Sequence, residues 1–385
     1  MLLINEQLVY ILKKVIVSVS SDLTSDKRVH RTCMTLVKMG FEVLLVGRKK
    51  RNSLPLTKRL YEVKRMSLFF EKGFLFYATF QIRLFFFILF HKADLLVSND
   101  LDTLLPNYLI KKVKKIHLVY DAHEYFTGVP ELVERPFVQK VWKRIERWIL
   151  PNLNDLITVN NSIAHLYENE YHKEFTVVRN IPEKVIIEYK KTKKELGLNE
   201  NKNIIILQGS GINIDRGAEE AVLAMKWVED AVLYIIGEGD VLGVLKEMVV
   251  SNKLSEKVIF IPKQPMDELI QYTRHADIGL SLDKDTNINY RYSLPNKLFD
   301  YIHAGVPVLA SNLLEVKNII QQYEVGEIID NHKPEHIAEK INTFFVDKNR
   351  MHVLKENCII ASDNLSWEKE EIKLIHVFKR YIHRQ

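Results

Sequence analysis

Apolar runs alternate with amphipathic stretches along almost the whole chain. Residues 14–19 read KVIVSV, β-branched at nearly every second position or better, which predicts a strand. A polar loop, SSDLTSDKR, follows. The pattern then predicts a helix over about 29–39 ending at Gly40, a strand over 42–46 and a basic loop over 49–57. Further strands are predicted at 94–98, 116–120, 156–159 and 176–178, with helices at 101–112, 136–150 and 161–170. The alternation restarts at 204–207. Strands are predicted at 231–236, 258–261, 278–282, 306–310 and 326–329, with helices at 217–227, 240–251, 266–275, 296–304 and 334–346. A last amphipathic helix is predicted over 367–383. Strand and helix in alternation mean an α/β fold with parallel sheets. The expected architecture is two Rossmann-like doubly wound domains facing a central cleft. Their expected bounds are 14–182 and 204–350, with a charged linker over 183–203 and a helical tail over 351–385 packing back towards the first domain.

One stretch, 292–311, shows the logic most clearly: YSLPNKLFDYIHAGVPVLAS. Leu294-Pro295 marks a turn, and proline pre-sets the backbone of a first helical turn. Leu298, Phe299, Tyr301 and Ile302 form one helical face, Gly305 is the expected stop, and a short apolar strand follows. A helix starting with Asn296 and Lys297 at the edge of a parallel sheet suits a phosphate-bearing ligand, or is one more αβ unit with no ligand.

The stretch 66–92, MSLFFEKGFLFYATFQIRLFFFILFHK, departs from this rhythm because it is apolar all round. As a helix it lines up Phe76, Phe80, Leu84 and Phe87, with Phe69, Phe74, Phe85 and Phe86 widening the stripe. It reads either as a buried helix or as a surface patch for a bilayer or lipid tail, with Lys64, Arg65, Lys72, Arg83 and Lys92 meeting anionic headgroups. Its longest run free of charged residues is broken at Arg83, so no segment is expected to span a membrane. The first 14 residues carry Glu6 and no small-residue cleavage site, and read as an extension rather than a signal peptide.

Composition narrows the picture further. The chain has 385 residues, 47% hydrophobic and 27% charged, enough for two ordinary cores. Two cysteines, Cys33 and Cys358, exclude a disulfide framework and a cysteine-rich zinc site, and suit a cytoplasmic protein. The net charge of +6 fits nucleic acid, anionic membrane or phosphorylated substrate alike. The positives are scattered and no nucleic-acid motif is present, so no nucleic-acid partner is expected.

Ligands of open α/β sheets bind beyond the carboxyl ends of the strands. On the first half, those ends carry Ser20, Asp22, Asp100, Asp121, His123 and Glu124, with Arg28 in the loop that follows the first strand; these are the expected ligand-facing residues of that half. On the second half, Gly209, Ser210 and Gly211 let a ligand approach the backbone, and Gly237-Glu238-Gly239 resembles part of a dinucleotide fingerprint. The first strand lacks G-x-G-x-x-G, which argues against an NAD enzyme. Arg216 and Lys297 with a helix N-terminus make a metal-free diphosphate site, or Arg216 is a solvated helix-start cation. Asp300 suits a ribose diol, or a surface salt bridge. Asp283-Lys284-Asp285 reads as a loop rather than a metal site, and no metal is expected.

Taken together, SLPNKLFDYIHAGVPVLAS, YDAHEYF, DLTSDKRVHR, VVRNIP and LQGSGINIDRG resemble the retaining glycosyltransferases of family 4, of the GT-B fold, over about residues 14–383. The resemblance implies that Arg216 binds the donor diphosphate, that Asp300 is the second acidic residue of an E-x7-E motif and holds the ribose, and that His123 lies near the transferred sugar. Gly305-Val306-Pro307 matches the turn behind the motif. Two positions depart. Tyr292 stands where the family has the first Glu, which leaves Asn296, Lys297 or Asp283 to contact the donor sugar. Ser20-Ser21-Asp22 replaces paired glycines. The implied activity is retaining, metal-independent transfer from a UDP-sugar or GDP-sugar, with no cofactor, to a glycan or lipid-linked acceptor in cell-envelope polysaccharide synthesis. His123, Arg216 and Lys297 would carry catalysis, at the cytoplasmic face of the inner membrane. A nucleotide-sugar epimerase of the same fold and a catalytically weak nucleotide-sugar-binding protein are the alternatives.

Overall fold

The computed structural model describes residues 13–24, 26–53, 55–184 and 190–382. Most of the N-terminal extension, some of the expected linker and the last residues of the tail lie outside that range. The chain divides into two compact units: residues up to Arg179 with those from Glu370 onward, and Asn180–Lys369.

The first unit contains β1 (Lys14–Asp22), α1 (Lys27–Lys38), β2 (Glu42–Lys49), β3 (Glu62–Ser67), α2 (Gly73–Phe90), β4 (Leu95–Asn99) and α3 (Leu101–Lys114). It continues with β5 (His117–Ala122), α4 (Pro130–Val133), α5 (Pro136–Ile149), β6 (Asp155–Thr158), α6 (Asn161–Tyr171) and β7 (Thr176–Val177). The strands make one seven-stranded sheet in the order β3-β2-β1-β4-β5-β6-β7, and every pair is parallel. Parallel strands need helical crossovers on both faces, so they are buried on both sides. That is why β1 and β4 read as unbroken apolar runs: Val15, Ile16, Val17, Leu95, Leu96 and Val97 are all buried.

β3 escapes the sequence pattern. It is an edge strand reading EVKRMS, and charged side chains are what keep an exposed edge from pairing with other chains. The expected strands also run longer at their carboxyl ends than their apolar cores. β1 extends through Ser20 and Asp22, and β5 through Asp121.

The second unit contains β8 (Asn203–Gly209), α7 (Ala218–Ala224), β9 (Ala231–Gly237), α8 (Leu242–Ser251), β10 (Val258–Pro262), α9 (Met266–Thr273) and β11 (Ile278–Ser281). Then come α10 (Ile288–Arg291), α11 (Asn296–His303), β12 (Val308–Ser311), α12 (Leu314–Tyr323), β13 (Gly326–Ile329), α13 (Pro334–Val346), α14 (Lys348–Asn364) and α15 (Trp367–Phe378). Its six parallel strands run β10-β9-β8-β11-β12-β13. Alternate residues of β8 enter two different cores: Ile205 and Leu207 one, Ile204 and Ile206 the other. Both faces of this sheet are therefore covered.

In each unit the strand order reverses direction beside the first strand, between β1 and β4 and between β8 and β11. A crevice opens outside the carboxyl ends of the strands at such a reversal. The candidate residues collect at these two places.

The tail differs from the expected 351–385. α14 buries Leu354, Cys358 and Ala361 in the cores of the second unit, because it carries an apolar stripe of its own. Only from Glu370 does the chain rejoin the first unit, where the buried Glu370 carboxylate accepts from Arg179 Nε at 2.8 Å. The expected linker is likewise partly structural, since Leu196 and Leu198 are core residues of the second unit.

Candidate functional site

In the second unit the site starts from glycines. At Gly237 φ is +146°, and a Cβ there would lie 1.8 Å from the Gly209 carbonyl oxygen. Only glycine permits this approach of β9 to β8. The loops beyond are then laced together, with Glu238 N–H donating to the Gly209 carbonyl at 3.2 Å and Ile212 N–H to the Glu238 carbonyl at 2.9 Å. Gly217, at φ +73°, serves the same purpose in the loop before α7, where a Cβ would meet the Leu282 carbonyl at 2.2 Å. Gly209 and Gly211 are different. A Cβ at either would meet no protein atom closer than 3.8 Å, so packing inside the protein does not demand glycine there.

Gly217 brings Arg216 against the end of β11. Arg216 Nη1 donates to Asp283 Oδ1 at 2.8 Å, and its guanidinium lies 4.4 Å from the centre of the Tyr290 ring. Lys297, in the first turn of α11, reaches the other oxygen of Asp283 at 3.2 Å. Asp283 is fully buried. Burial opposes its ionisation, but Lys297 and then Arg216 outweigh it, and the carboxyl is held below its usual range. The three side chains together carry one net positive charge. Arg216 keeps donors beyond the one given to Asp283, and among the described residues its Nε has no hydrogen-bond partner. The start of α11 has no side-chain cap.

Further along α11, Asp300 Oδ2 accepts from Gln208 Nε2 at 3.3 Å, and Gln208 Oε1 accepts from Thr273 Oγ1 at 2.7 Å. Ser210 and Asn296 are exposed at the same edge of the sheet, and exposed Glu238 pairs with Lys263. Asp283, one of three residues expected as a contact for the donor sugar, is buried and paired with both Arg216 and Lys297.

In the first unit, β1, β4 and β5 and the start of α1 bring Arg28, Asp100, Asp121 and His123 together. Arg28 Nη2 donates to Asp121 Oδ1 at 2.7 Å and Nη1 to the Val178 carbonyl at 2.8 Å, which locks the guanidinium inside the unit. Asp100 sits at φ 60°, ψ 166°, a conformation costing about 1–3 kcal/mol for a residue with a side chain. His123 holds it there, with backbone N–H to Asp100 Oδ1 at 2.8 Å and Nδ1 at 3.3 Å from Oδ2. His123 Nε2 lies 3.1 Å from Asn99 Oδ1 and 3.5 Å from Asp121 Oδ2. Burial works against protonation of the imidazole, but Asp100 and Asp121 overcome it and push its pKa up to about 9. At neutral pH His123 is a fixed cation between carboxylates rather than a base.

Ser20 donates from Oγ to Asp102 Oδ2. Asp102, in the first turn of α3, is buried, and its Oδ1 has no hydrogen-bond partner among the described residues. Burial and then the neighbouring Asp100 push this carboxyl up to about 7. Asp22 belongs to a different group, bonded to Ser53 and Thr24 and 3.5 Å from Arg65. Glu124 is half-buried after β5, and its carbonyl accepts from Tyr167. Among the described residues no three His, Cys, Asp or Glu side chains are grouped to hold a metal ion.

Both halves of the chain match known families. Residues 26–181 match "Glycosyltransferase Family 4" and residues 188–361 match "Glycosyl transferases group 1". The chain belongs to the GT-B glycosyltransferases, family 4-like. It is 23% identical over 135 residues to a D-inositol 3-phosphate glycosyltransferase of Rhodococcus jostii (strain RHA1), a match covering 35% of this chain and 28% of that protein's length. Among solved structures it superposes on sucrose-phosphate synthase from Thermosynechococcus elongatus with a TM-score of 0.77 at 14% identity, covering 96% and 99% of the two chains. It also superposes on Anabaena HepE in complex with UDP and glucose, with a TM-score of 0.71 at 13% identity, covering 96% and 100%. At that identity the superpositions speak for the fold.

Within this glycosyltransferase, the expected set resolves into two groups plus outliers. Arg216, Lys297 and Asp300 lie on one sheet edge with Gly209 and Gly211, while Arg28, Asp100, Asp121 and His123 form one network in the other unit. Asp22 and Glu238 are tied elsewhere. Sequence reasoning missed Tyr290 and Gln208. A tyrosine in a short polar helix and a glutamine at a strand end carry no local signal of what they touch.

Proposed function

We propose that this glycosyltransferase moves a sugar from a nucleotide-diphosphate sugar to a glycan or lipid-linked acceptor, with retention and without a metal ion. The observation carrying the reading is the pairing of Arg216 and Lys297 on one buried carboxylate beside an uncapped helix start. Two cations pre-set by Asp283 need little reorganisation as charge builds on a leaving diphosphate, which is where such groups act most strongly. Asp300, oriented by Gln208, is the group for the ribose hydroxyls, and the space beside Gly209 and Gly211 is left for the nucleotide.

In the proposed step the bond from the anomeric carbon to the diphosphate oxygen breaks, and the acceptor hydroxyl oxygen bonds to the same face. The hydroxyl proton passes to the leaving diphosphate. His123, protonated, supplies placement and positive charge in the first unit, and Asp100 and Asp121 hold it. UDP-sugars are the first donors to try, because the structurally similar Anabaena HepE holds UDP and glucose. A role in cell-envelope polysaccharide synthesis from the cytoplasmic side fits this substrate class.

A panel of UDP- and GDP-sugars read by thermal unfolding tests the proposal, since a ligand bound only by the folded state raises the midpoint. A true donor shifts the midpoint for wild type and not for Arg216→Ala. If no nucleotide or nucleotide sugar shifts wild type, the proposal fails.

A further inference from the structure

The exposed apolar side chains of the first unit fall into a pattern. In α2 the buried stripe is Phe76, Phe80, Leu84 and Ile88. Two positions out of step, at the same four-residue rhythm and so on the opposite side of the helix, stand Phe74, Ile82, Phe86 and Phe90. Phe74 is 80% exposed and Phe90 78%, and Phe69 just ahead of the helix is 85% exposed. Single exposed apolar residues are ordinary, but an exposed stripe of three phenylalanines and an isoleucine on one helix is not.

α5 repeats the design. Phe137, 80% exposed, shares an exposed stripe with Val141 and Trp148, and Arg144 sits between them with Lys140 and Arg147 alongside. The two helices are neighbours: Trp142 of α5 meets Tyr77 of α2 edge-on at 5.5 Å between ring centres. Neither helix carries an exposed carboxylate. α2 has none, and the single one in α5, Glu146, is buried. Exposed Arg83 lies within α2, and exposed Lys72 and Lys92 flank it. Aromatic side chains ringed by cations on a basic amphipathic surface are complementary to an anionic lipid interface.

Among the described residues α2 alone is, by length and composition, apolar enough to cross a bilayer, contrary to the expectation that no segment is. Its place in the fold forbids that. It is the crossover between β3 and β4 of one sheet, and Lys114 Nζ caps its end at the Ile88 carbonyl, 2.7 Å, and the His91 carbonyl, 2.6 Å. A helix held along the protein can enter a bilayer only sideways.

We propose that α2 and α5 form one face that docks the protein on an anionic membrane surface, both helices lying in the plane of the interface. The inference goes beyond sugar transfer and stands on these two helices alone.

The experiment is flotation of the full chain with vesicles of phosphatidylcholine, with and without phosphatidylglycerol. Three proteins are compared: wild type, Phe74→Ser/Phe90→Ser in α2, and Phe137→Ser/Lys140→Ala/Arg144→Ala in α5. The altered side chains are exposed, so each variant should unfold at the wild-type temperature. Wild type should float with the anionic vesicles, less at high salt, and each variant should lose binding by about tenfold or more. Binding that neither variant weakens overturns the proposal, as does failure of wild type to float. Light scattering identifies the competing occupant: a wild-type dimer that the α2 variant makes monomeric, with no flotation, assigns the face to a second copy of the chain. Donor-induced thermal shifts in vesicle-free solution report on sugar transfer separately, so either proposal can fail without the other.

Discussion

Arg216 and Asp283 form a 2.8 Å ion pair in which the carboxylate is fully buried and the guanidinium still opens to one side. Asp283 also meets Lys297, so one anion positions two cations that lie 81 positions apart in the chain. Removing Arg216 should cost mainly catalysis. Arg216→Ala is expected to lower kcat by about 10²–10³, the loss typical of a donor aimed at developing charge. Asp283→Ala should cost stability as well, about 3 kcal/mol, because breaking a buried pair leaves charges uncompensated. Steady-state kinetics with urea unfolding separates the two effects.

Gly237 and Gly211 should behave differently on substitution to alanine. The Cβ at Gly237 runs into the Gly209 carbonyl, so Gly237→Ala should lower stability by about 2 kcal/mol or more, read as a fall in Tm. Gly211→Ala meets nothing closer than 3.8 Å and should leave Tm unchanged. Its cost should appear in calorimetry as weaker UDP binding.

Tyr290 stacks on Arg216 at 4.4 Å. Tyr290→Phe keeps the ring and should keep most of the affinity for UDP. Tyr290→Ala should weaken it about fivefold to tenfold, since such a contact is worth about 1 kcal/mol. Equal losses in both variants would assign the contribution to the hydroxyl instead.

His123 sets a pH dependence. Its folded pKa of about 9 lies above the ordinary 6.5, so the folded state binds the proton more tightly. The stability this contributes, at most about 3 kcal/mol, is complete below about pH 6.5 and is lost as pH rises through 9. Urea unfolding across pH 6 to 9.5 should show the decline, and His123→Gln should flatten it.

Glu146 acts in a lower window. Buried beside Tyr171, which donates to it at 2.7 Å, it is pushed up by burial to about 7, against an ordinary 4.5. Folding therefore favours its protonated form, and stability falls as pH rises from 4.5 to 7. Glu146→Gln keeps a neutral side chain at all pH values. It should be relatively more stable than wild type at pH 8 than at pH 5, by thermal unfolding.

How much of this was legible in the chain depends on distance. The buried strands announced themselves, because parallel strands covered on both faces leave no polar alternation to confuse the reading. The helix at 334–346 and the strand at 326–329 lie where the pattern put them. α12 was missed, and α14 was expected only as part of the helical tail, without its place in the second unit, because only Leu354, Cys358 and Ala361 mark its buried side. α2 showed its apolar character but not which half of it is covered. A helix apolar all round has no face that sequence can choose, and only its packing in the sheet crossover does so.

The sequence by itself determined the α/β alternation, the two halves, the turn glycines and the set of polar residues at strand ends, because each follows from local backbone preference and hydrophobic period. Only the tertiary structure decided which of those polar residues meet. Strand order places β4 beside β1 and β11 beside β8, and that order rests on crossovers no local pattern encodes. From it come the Arg216–Asp283–Lys297 group, the cage of carboxylates around His123, and the exclusion of Asp22 from that cage. Arg28 meets Asp121 and Arg216 meets Asp283 across tens of positions, and these partners are chosen by burial and charge once the sheets have formed.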